Sequence, residues 1–336
     1  FIYCFFLFSV SWLEEVSFLS GKACIFPTRR KSTKKYGNRG RLCGKTLRKT
    51  FSCEHESSTF DLHYLCTLKI KFTSLYRIMK KYILDLIVAE NIRLHTNYAL
   101  LKLTSSSPLP EMRPGQFAEI RVDGSPTTFL RRPISINYVD TSRNEVWFLV
   151  QLVGDGTKRL GEAKTGDTIN VVLPLGNGFT MPQKASDKLL LVGGGVGTAP
   201  MLYLGEQLAK NGHKPTFLLG ARSSKDLLQL EQFAQYGPVY TTTEDGSHGE
   251  KGYVTQHTIL SQIDFEQIYT CGPKPMMMAV AKYAKSKGIN CEVSLENMMA
   301  CGLGACLCCV ENTTEGHLCV CKEGPVFNIN RLLWQI

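Results

Sequence analysis

The chain has 336 residues, of which 43% are hydrophobic, and it carries a formal net charge of +10. This length is enough for two or three domains with their own cores, and the composition is that of a globular protein. A basic excess often indicates an acidic partner, but residues 1–78 account for +9 of this charge and residues 79–336 for only +1. The charge therefore excludes nucleic acid as the expected partner of the larger part of the chain.

Residues 1–78 differ from the rest of the chain in more than charge. They contain five of the 13 cysteines and none of the nine methionines, the first of which is Met79. The basic tract "TRRKSTKKYGNRGRLCGKTLRKT" has neither helical nor strand periodicity, and the apolar start "FIYCFFLFSVSWL" is too short to cross a bilayer and lacks the basic flank of a signal peptide. We interpret residues 1–78 as non-native, disordered upstream translation, in preference to a membrane anchor or a nucleic-acid-binding arm.

Residues 79–182 are predicted to form a β-barrel domain. Short runs rich in apolar and β-branched residues, "KYILDLIV", "YALLKLTS", "QFAEIRVD", "EVWFLVQLV" and "TINVVLPL", alternate with turn signals such as "RPGQ", "DGSP", "TSRN" and "KTGD". Several short strands at this spacing are typical of a small barrel or sandwich.

Two segments of this predicted domain carry candidate binding residues. In "FLRRPISI", the guanidinium of Arg132 and the hydroxyl of Ser135 flank Pro133, which restricts the backbone. In "VGDGT", Gly156 and Thr157 precede a predicted helix, whose N-terminus favours an anion. Each segment alone is equally compatible with an ordinary loop.

Residues 183–290 are predicted to form a parallel α/β domain. The segment "KLLLVGGGVGTAPMLYLGEQLAKNG" is a buried strand, a glycine-rich turn and a helix, the opening of a nucleotide-binding βα unit. Gly193, Gly194, Gly195 and Gly197 allow the backbone to approach a pyrophosphate. The turn matches neither the G-x-G-x-x-G fingerprint nor a P-loop.

Further strands in this domain end in polar loops, where open parallel sheets bind their ligands. The residues at these ends are Gly220, Ala221, Arg222, Thr243, Glu244, Asp245, Cys271 and Gly272. Cys271 is either a neighbour of a bound nicotinamide or a buried structural cysteine.

Residues 291–336 are predicted to form a small cysteine-rich domain. Cys301, Cys306 and Cys309 have the spacing C-x₄-C-x₂-C, which opens the plant-type [2Fe–2S] pattern, and the intervening "GLGA" leaves backbone N–H groups free to face sulfur. A zinc site normally pairs two C-x₂-C elements, and disulfides belong to oxidising compartments. The order of preference is therefore an iron–sulfur cluster, then zinc, then disulfides.

The spacing does not choose the fourth ligand. Cys319 and Cys321 are two residues apart and are expected on one face of a strand, Cys308 neighbours Cys309, and Cys291 lies upstream.

The order of barrel, glycine-rich nucleotide domain and cysteine-rich tail resembles the electron-transfer subunits of class 1B (NAD-dependent) dihydroorotate dehydrogenases, in the ferredoxin-reductase superfamily. The resemblance covers residues 79–332 and depends on "FLRRPISI", "GDGT", "GGGVGTAPM", "CGPKPMM" and "MACGLGACLCCV", followed by "VCKEGPVF". It implies a multidomain β plus α/β fold: an FAD-binding barrel, a parallel NAD-binding domain and a C-terminal [2Fe–2S] domain.

The resemblance also implies roles for individual residues. FAD would be bound by Arg132, Pro133, Ile134, Ser135, Leu149, Val150, Gln151, Gly156 and Thr157. NAD would approach Gly194, Gly195, Gly197 and Thr198, with Cys271 near the nicotinamide. The cluster would be held by Cys301, Cys306, Cys309 and Cys321, the last chosen over Cys319 because it directly precedes "KEGPVF". The short loop before Cys321, and the additional thiols Cys308 and Cys319, depart from the family pattern.

The implied function is electron transfer in pyrimidine biosynthesis. A separate FMN-bearing catalytic subunit would oxidise dihydroorotate, and its electrons would pass through [2Fe–2S] and FAD to NAD⁺ in a cytoplasmic complex of two plus two subunits. No general acid or base is needed in this chain for that transfer. The alternatives are a related reductase subunit serving ferredoxin or a hydrogenase, and a zinc-stabilised binding module without redox activity.

Overall fold

Six antiparallel strands close into a barrel in the order β1-β2-β5-β4-β3-β6. They are β1 (Tyr82–His95), β2 (Tyr98–Thr104), β3 (Phe117–Ile120), β4 (Arg132–Asp140), β5 (Glu145–Gln151) and β6 (Thr168–Leu175), with the short helix α1 (Asp155–Leu160) after β5. The computed structural model describes residues 80–336, so the interpretation of residues 1–78 concerns a segment outside them. The predicted barrel is confirmed for the described part of the chain.

The barrel core follows from alternation along each strand. In β3, Ala118 and Ile120 are fully buried in the barrel core, whereas Phe117 packs in a different cluster on the outer side. Because successive side chains of a strand point to opposite faces, one short strand serves both the barrel interior and its neighbour. This outer face of β3 becomes important for the site.

A seven-stranded sheet follows the barrel, in the order β10-β9-β8-β7-β11-β12-β15. Its strands are β7 (Leu189–Gly194), β8 (Pro215–Ala221), β9 (Val239–Thr243), β10 (Glu250–Lys251), β11 (Gln267–Cys271), β12 (Asn290–Ser294) and β15 (Val326–Asn328). The connecting helices are α2 (Ala199–Lys210), α3 (Leu230–Ala234), α4 (Ile259–Gln262) and α5 (Lys274–Lys287). All pairs are parallel except β12 with β15, so the predicted parallel sheet is confirmed.

The central strand β7 is buried at every residue, as expected where helices cover both faces of a parallel sheet. Tertiary contacts tie this sheet to the barrel through α2. The Tyr138 hydroxyl donates to Glu206 Oε1 at 2.6 Å, and Asn137 Nδ2 donates to the Ala199 carbonyl at 3.0 Å. The start of α2 is thereby held against β4.

In sequence, the cysteine-rich segment lies between two strands of the sheet, β12 and β15, and does not follow the last strand. Between β12 and β15 lie the hairpin β13 (Val310–Thr313) and β14 (Gly316–Cys319) and the one-turn helix α6 (Val320–Glu323). Residues 291–336 therefore supply strands to the sheet as well as the cysteine loop. No helix within residues 80–336 is long and apolar enough to span a membrane.

Candidate functional site

A cavity of about 340 Å³ lies where the barrel, the start of α2 and the segment before the cysteine loop meet. Its volume lies within the range of small-molecule sites. Its lining residues are Phe117, Pro133, Ile134, Ser135, Leu149, Gln151, Val153, Thr157, Val196, Ala199, Leu295, Glu296, Asn297, Met298, Met299 and Pro325.

Most of the predicted flavin residues line this cavity. Pro133, Ile134 and Ser135 begin β4, and Leu149 and Gln151 end the adjacent strand β5. Their side chains meet because β4 and β5 are paired neighbours in the barrel.

Val150 differs from its two neighbours on β5. Its side chain is 1% exposed and packs in the barrel core, not in the cavity wall. Because side chains alternate along a strand, those of residues 149 and 151 point to one face and that of residue 150 to the other. Val150 could therefore line the flavin ring only through its backbone.

Arg132 lies at the rim, beside the turn that precedes α1. A Cβ placed on Gly156 would lie 3.4 Å from Arg132 Cδ, so the two flavin motifs are in contact. The Thr157 hydroxyl accepts from the backbone N–H groups of Val153 and Gly154 at 3.1 and 3.2 Å, which closes the turn. The neighbouring Arg131 is used structurally, because its guanidinium donates to the Asn170 carbonyl at 3.0 Å.

The cavity has the character that a flavin ring requires. Its walls are mainly apolar, with Ser135, Gln151 and Thr157 as separated polar groups. Sequence reasoning missed the opposite wall, Leu295 to Met299 with Pro325, because these residues come from the cysteine-rich third of the chain. The only available signal was their proximity in sequence to Cys301.

The glycine-rich turn packs against the end of β11. A Cβ on Gly197 would lie 2.5 Å from the Gly272 backbone nitrogen and 2.6 Å from the Cys271 carbonyl carbon. Thr198 donates to the Gly195 carbonyl at 3.0 Å and fills the space above Gly193. Gly197 is required because neighbouring backbone atoms approach it closely. Gly195 is favoured because it has a φ of +56°, in the left-handed region.

Replacing Gly197 with alanine should destabilise the protein by about 1–3 kcal/mol, because the added methyl meets backbone atoms that have no space to relax. NADH-dependent flavin reduction should slow while flavin content is retained. Gly195→Ala is the control: its Cβ meets nothing within 4 Å, and only the left-handed backbone costs about 1–2 kcal/mol. Thermal unfolding and stopped-flow reduction would measure both, and a Gly197→Ala protein as stable as the unaltered chain would contradict the packing argument.

Cys271 is fully buried at the end of β11. Its Sγ lies 3.7 Å from Oε1 of Glu296, which lines the cavity. Burial, and next the nearby Glu296 carboxylate, raise the pKa of Cys271 well above its usual value. Cys271 is therefore a neutral thiol that donates toward the cavity wall, not a nucleophile.

Backbone N–H groups of the cysteine loop point at sulfur. Leu303 N donates to Cys301 Sγ at 3.3 Å, and Gly304 N donates to Cys321 Sγ at 3.1 Å. Cys321 N in turn donates to Cys309 Sγ at 3.3 Å. Such donors stabilise thiolate charge, as expected of a loop that wraps a metal–sulfur centre.

The four predicted ligands come together as two pairs, Cys301 with Cys306 and Cys309 with Cys321. A [2Fe–2S] cluster takes two protein ligands on each iron, so this pairing fits. Within residues 80–336, no three His, Cys, Asp or Glu side chains converge on a position for a single ion.

The pKa values of the Cys301 and Cys321 thiols differ widely. Burial opposes ionisation of Cys301, but hydrogen bonds from the backbone, first from Leu303, outweigh it and lower its pKa to about 6. Burial, and next the hydrogen bond with Cys309, raise the pKa of Cys321 to about 12. The raised pKa of Cys321 opposes its thiolate form, and a metal centre would supply the positive charge that stabilises it.

Of the other cysteines, Cys291 lies apart from this set, whereas Cys308 and Cys319 neighbour it. Cys308 is exposed, and Cys291 is fully buried on β12 in the core of the sheet. The expectation that Cys319 and Cys321 share a strand face is wrong, because β14 ends at Cys319 and α6 begins at the next residue. The two sulfurs contact different backbone groups of Gly304: its N–H donates to Cys321 Sγ, and its carbonyl lies 3.9 Å from Cys319 Sγ.

Two segments of the chain match described protein families. Residues 296–333 match the iron–sulfur cluster binding domain of dihydroorotate dehydrogenase B, and residues 191–282 match the oxidoreductase NAD-binding domain. The first match covers the cysteine loop and one cavity wall, and the second covers the glycine-rich turn and most of the parallel sheet.

Among solved structures, the chain is similar to the one described as "Insights into flavin-based electron bifurcation via the NADH-dependent reduced ferredoxin-NADP oxidoreductase structure", with 29% identity and a TM-score of 0.67 over 74% of this chain and 90% of that one. A ferredoxin reductase in carbazole 1,9a-dioxygenase shares the fold at 20% identity and a TM-score of 0.54, over 63% of this chain and 68% of that one.

Two curated relatives match about two thirds of the chain. The chain is 40% identical to the dihydroorotate dehydrogenase B (NAD(+)) electron transfer subunit of Shouchella clausii, over 66% of this chain and 86% of that protein. It is 38% identical to the subunit of the same name from Geobacillus kaustophilus, over 69% of this chain and 92% of that protein. The chain therefore belongs to the family of electron-transfer subunits of dihydroorotate dehydrogenase B.

Proposed function

We propose that this protein transfers electrons from a dihydroorotate-oxidising partner subunit to NAD⁺, through a [2Fe–2S] cluster and FAD. One observation carries the proposal: residues 296–299 form a wall of the flavin-sized cavity and lead within two residues to Cys301. The cavity and the cysteine loop are therefore contiguous, as a short electron path between two cofactors requires. The names of the relatives supply the substrate and the acceptor.

When bound, the cluster supplies one-electron transfer and FAD supplies the conversion between single electrons and a hydride. The chain itself binds, orients and excludes water. Leu149 and Phe117 present apolar surface to the ring, while Ser135 and Gln151 offer hydrogen bonds at its edge. Arg132 and the turn at Gly156 offer positive charge and backbone N–H groups for the FAD pyrophosphate.

The NAD side of the site is built from the glycine-rich turn and α2. The twelve-residue helix α2 has Pro200 in its first turn and begins directly after the glycine-rich turn. That end of the helix favours the pyrophosphate of NAD, with Gly194, Gly195, Gly197 and Thr198 beside it. Cys271 keeps its proton near the nicotinamide position and holds Glu296 in the cavity wall.

The assembly belongs to the same proposal. The partner carries FMN and oxidises dihydroorotate, and two copies of each subunit form a cytoplasmic complex in pyrimidine biosynthesis. The division of the chain into a barrel domain (79–182), a nucleotide domain (183–290) and a cluster domain (291–336) also belongs to it.

An anaerobic visible spectrum with iron, sulfide and flavin counts would test the proposal. We expect one FAD and a reducible two-iron signature, followed by NADH formation when dihydroorotate and an FMN-bearing partner are added. Zinc without flavin would overturn the electron-transfer function. Efficient reduction of ferredoxin, without coupling to dihydroorotate, would favour the related reductase function instead.

The apolar surface around the cysteine loop supports a partner at this position. Leu303, Leu307 and Met298 are 48%, 65% and 85% exposed. Leu307 has a φ of +59°, a conformation that costs a leucine about 1–2 kcal/mol. A leucine held exposed in this conformation, between two ligands of the cluster, indicates a contact made on assembly.

Leu307→Asn should weaken binding of the catalytic partner by about 10-fold to 100-fold, the equivalent of one buried leucine at about 1.5–3 kcal/mol. The cluster should remain, because asparagine tolerates the left-handed conformation. Titration calorimetry of the two purified subunits would measure the change. Leu333→Asn, at a residue that is 60% exposed outside the loop, is the matched control, and an equal loss of affinity in both variants would contradict a specific contact.

A further inference from the structure

Glu119 is a buried carboxyl without a hydrogen-bond partner. Its side chain is 1% exposed, and neither Oε1 nor Oε2 has a partner among the described residues. The nearest arginine does not neutralise it by direct contact. Arg131 instead donates to the backbone carbonyl of Glu119 at 3.3 Å and to the Asn170 carbonyl at 3.0 Å.

The position of Glu119 on β3 aims it out of the barrel. Ala118 and Ile120 fill the barrel core, so the side chains of Phe117 and Glu119 point to the other face of the strand. Phe117 lines the flavin-sized cavity. Glu119 therefore lies one strand step beyond the cavity wall, on the same side.

On that side, Glu119 packs against the cysteine loop. A Cβ on Gly302 would lie 2.7 Å from Glu119 Cγ and 3.2 Å from Glu119 Oε1. Gly302 has a φ of +65°, so glycine is favoured here both by its conformation and by the approach of the carboxyl. Gly302 directly follows Cys301, so the carboxyl lies beside the loop that begins at the first predicted ligand.

A buried carboxyl without a partner is costly for a folded protein, and such groups are retained where function requires them. Burial raises the pKa of Glu119 to about 7, against the opposing charges of Arg131 and Arg132 and with a further increase from Cys301. The positive charges of Arg131 and Arg132 favour the ionised form of Glu119. Their guanidinium groups, however, donate to backbone carbonyls and not to the Glu119 carboxyl. When Glu119 is ionised, its negative charge therefore acts on the cysteine loop, which it contacts at Gly302.

We propose that the carboxylate of Glu119 lowers the reduction potential of the iron–sulfur cluster that the adjoining loop holds. A negative charge beside the cluster opposes the arrival of an electron, so the reduced cluster becomes a stronger donor to the flavin. The inference rests on the proposed function, since it requires a cluster at Cys301. Glu119 is a positioning residue in this role: it contributes charge and exchanges neither atoms nor electrons.

The test is an anaerobic redox titration of the complete chain at alkaline pH, with the reduced cluster monitored by electron paramagnetic resonance. We expect Glu119→Gln to shift the cluster midpoint to a higher potential, with its cluster content unchanged. Glu119→Leu, a second neutral replacement, should shift it in the same direction, and Glu119→Asp should stay near the original value. Thermal unfolding of both neutral variants should move to higher temperature, because an unpaired buried charge is removed.

Glu145→Gln is the matched control. Glu145 lies at the opposite end of β5 from the cavity-lining Gln151, and it accepts from Trp147 Nε1 at 2.9 Å. This variant should leave the cluster potential unchanged. A fully loaded Glu119→Gln protein with an unchanged midpoint would overturn the inference alone, whereas an unaltered chain that holds no reducible cluster would overturn the proposed function.

Discussion

Cys321→Ser is expected to remove the iron–sulfur absorbance and to reduce electron transfer between the catalytic partner and NAD⁺ by more than about 100-fold, since even changes to groups around metal ligands reduce affinity by about 10-fold to 100-fold. The Cys321 sulfur accepts from Gly304 N and lies beside Cys309. It therefore completes the second pair of sulfurs. Iron and sulfide counts on the purified variant would measure the loss, with flavin content as a check that the barrel is intact.

Cys319→Ser is the matched control, two residues away in the same buried segment. Its sulfur faces the Gly304 carbonyl at 3.9 Å, a contact that a thiol can make as a donor but a thiolate cannot. Burial, and next the charge of Cys309, raise the pKa of Cys319, which also favours the neutral thiol. Cys319→Ser should therefore keep its cluster. Cluster loss in Cys319→Ser, with retention in Cys321→Ser, would reverse the assignment of the fourth ligand.

Arg132→Ala should lower the affinity for FAD by about 10-fold to 100-fold, because a charge-assisted hydrogen bond to phosphate contributes about 1.5–3 kcal/mol. In the structure, Arg132 bonds only weakly to its own segment, through the Leu130 carbonyl at 3.0 and 3.3 Å. Its Cδ lies close to Gly156, where the two flavin motifs meet. FAD titration of flavin-free protein would give the affinity directly.

Variants of two other arginines, Arg143 and Arg131, serve as comparisons for this prediction. Arg143 forms a surface ion pair with Asp140 at 3.9 Å, so Arg143→Ala should leave FAD affinity unchanged. Arg131 is fastened to Asn170 and to the backbone of β3, so Arg131→Ala should reduce the stability of the barrel. Equal FAD affinity in Arg132→Ala and Arg143→Ala would show that Arg132 does not bind the pyrophosphate.

Local sequence was sufficient where a motif is continuous in the chain. The strand run of β7, the glycine-rich turn and the C-x₄-C-x₂-C spacing each carry their own signal, because backbone conformation and ligand spacing depend on nearby residues. For Val150, the resemblance did not distinguish a contact by the side chain from one by the backbone. Leu149 and Gln151 line the cavity, whereas the side chain of Val150, between them on the strand, enters the barrel core.

The sequence by itself determined the barrel, the parallel sheet, the three leading cysteines and the family resemblance. Only the tertiary structure decided which distant groups meet. Residues 295–299 form the cavity wall opposite Leu149, and Glu119 packs against Gly302. Cys321 and Cys319 contact the N–H and the carbonyl of Gly304, respectively. The reason is physical. Periodicity and spacing report interactions within about one element, whereas contacts between β3, β5 and the cysteine loop depend on how whole elements pack.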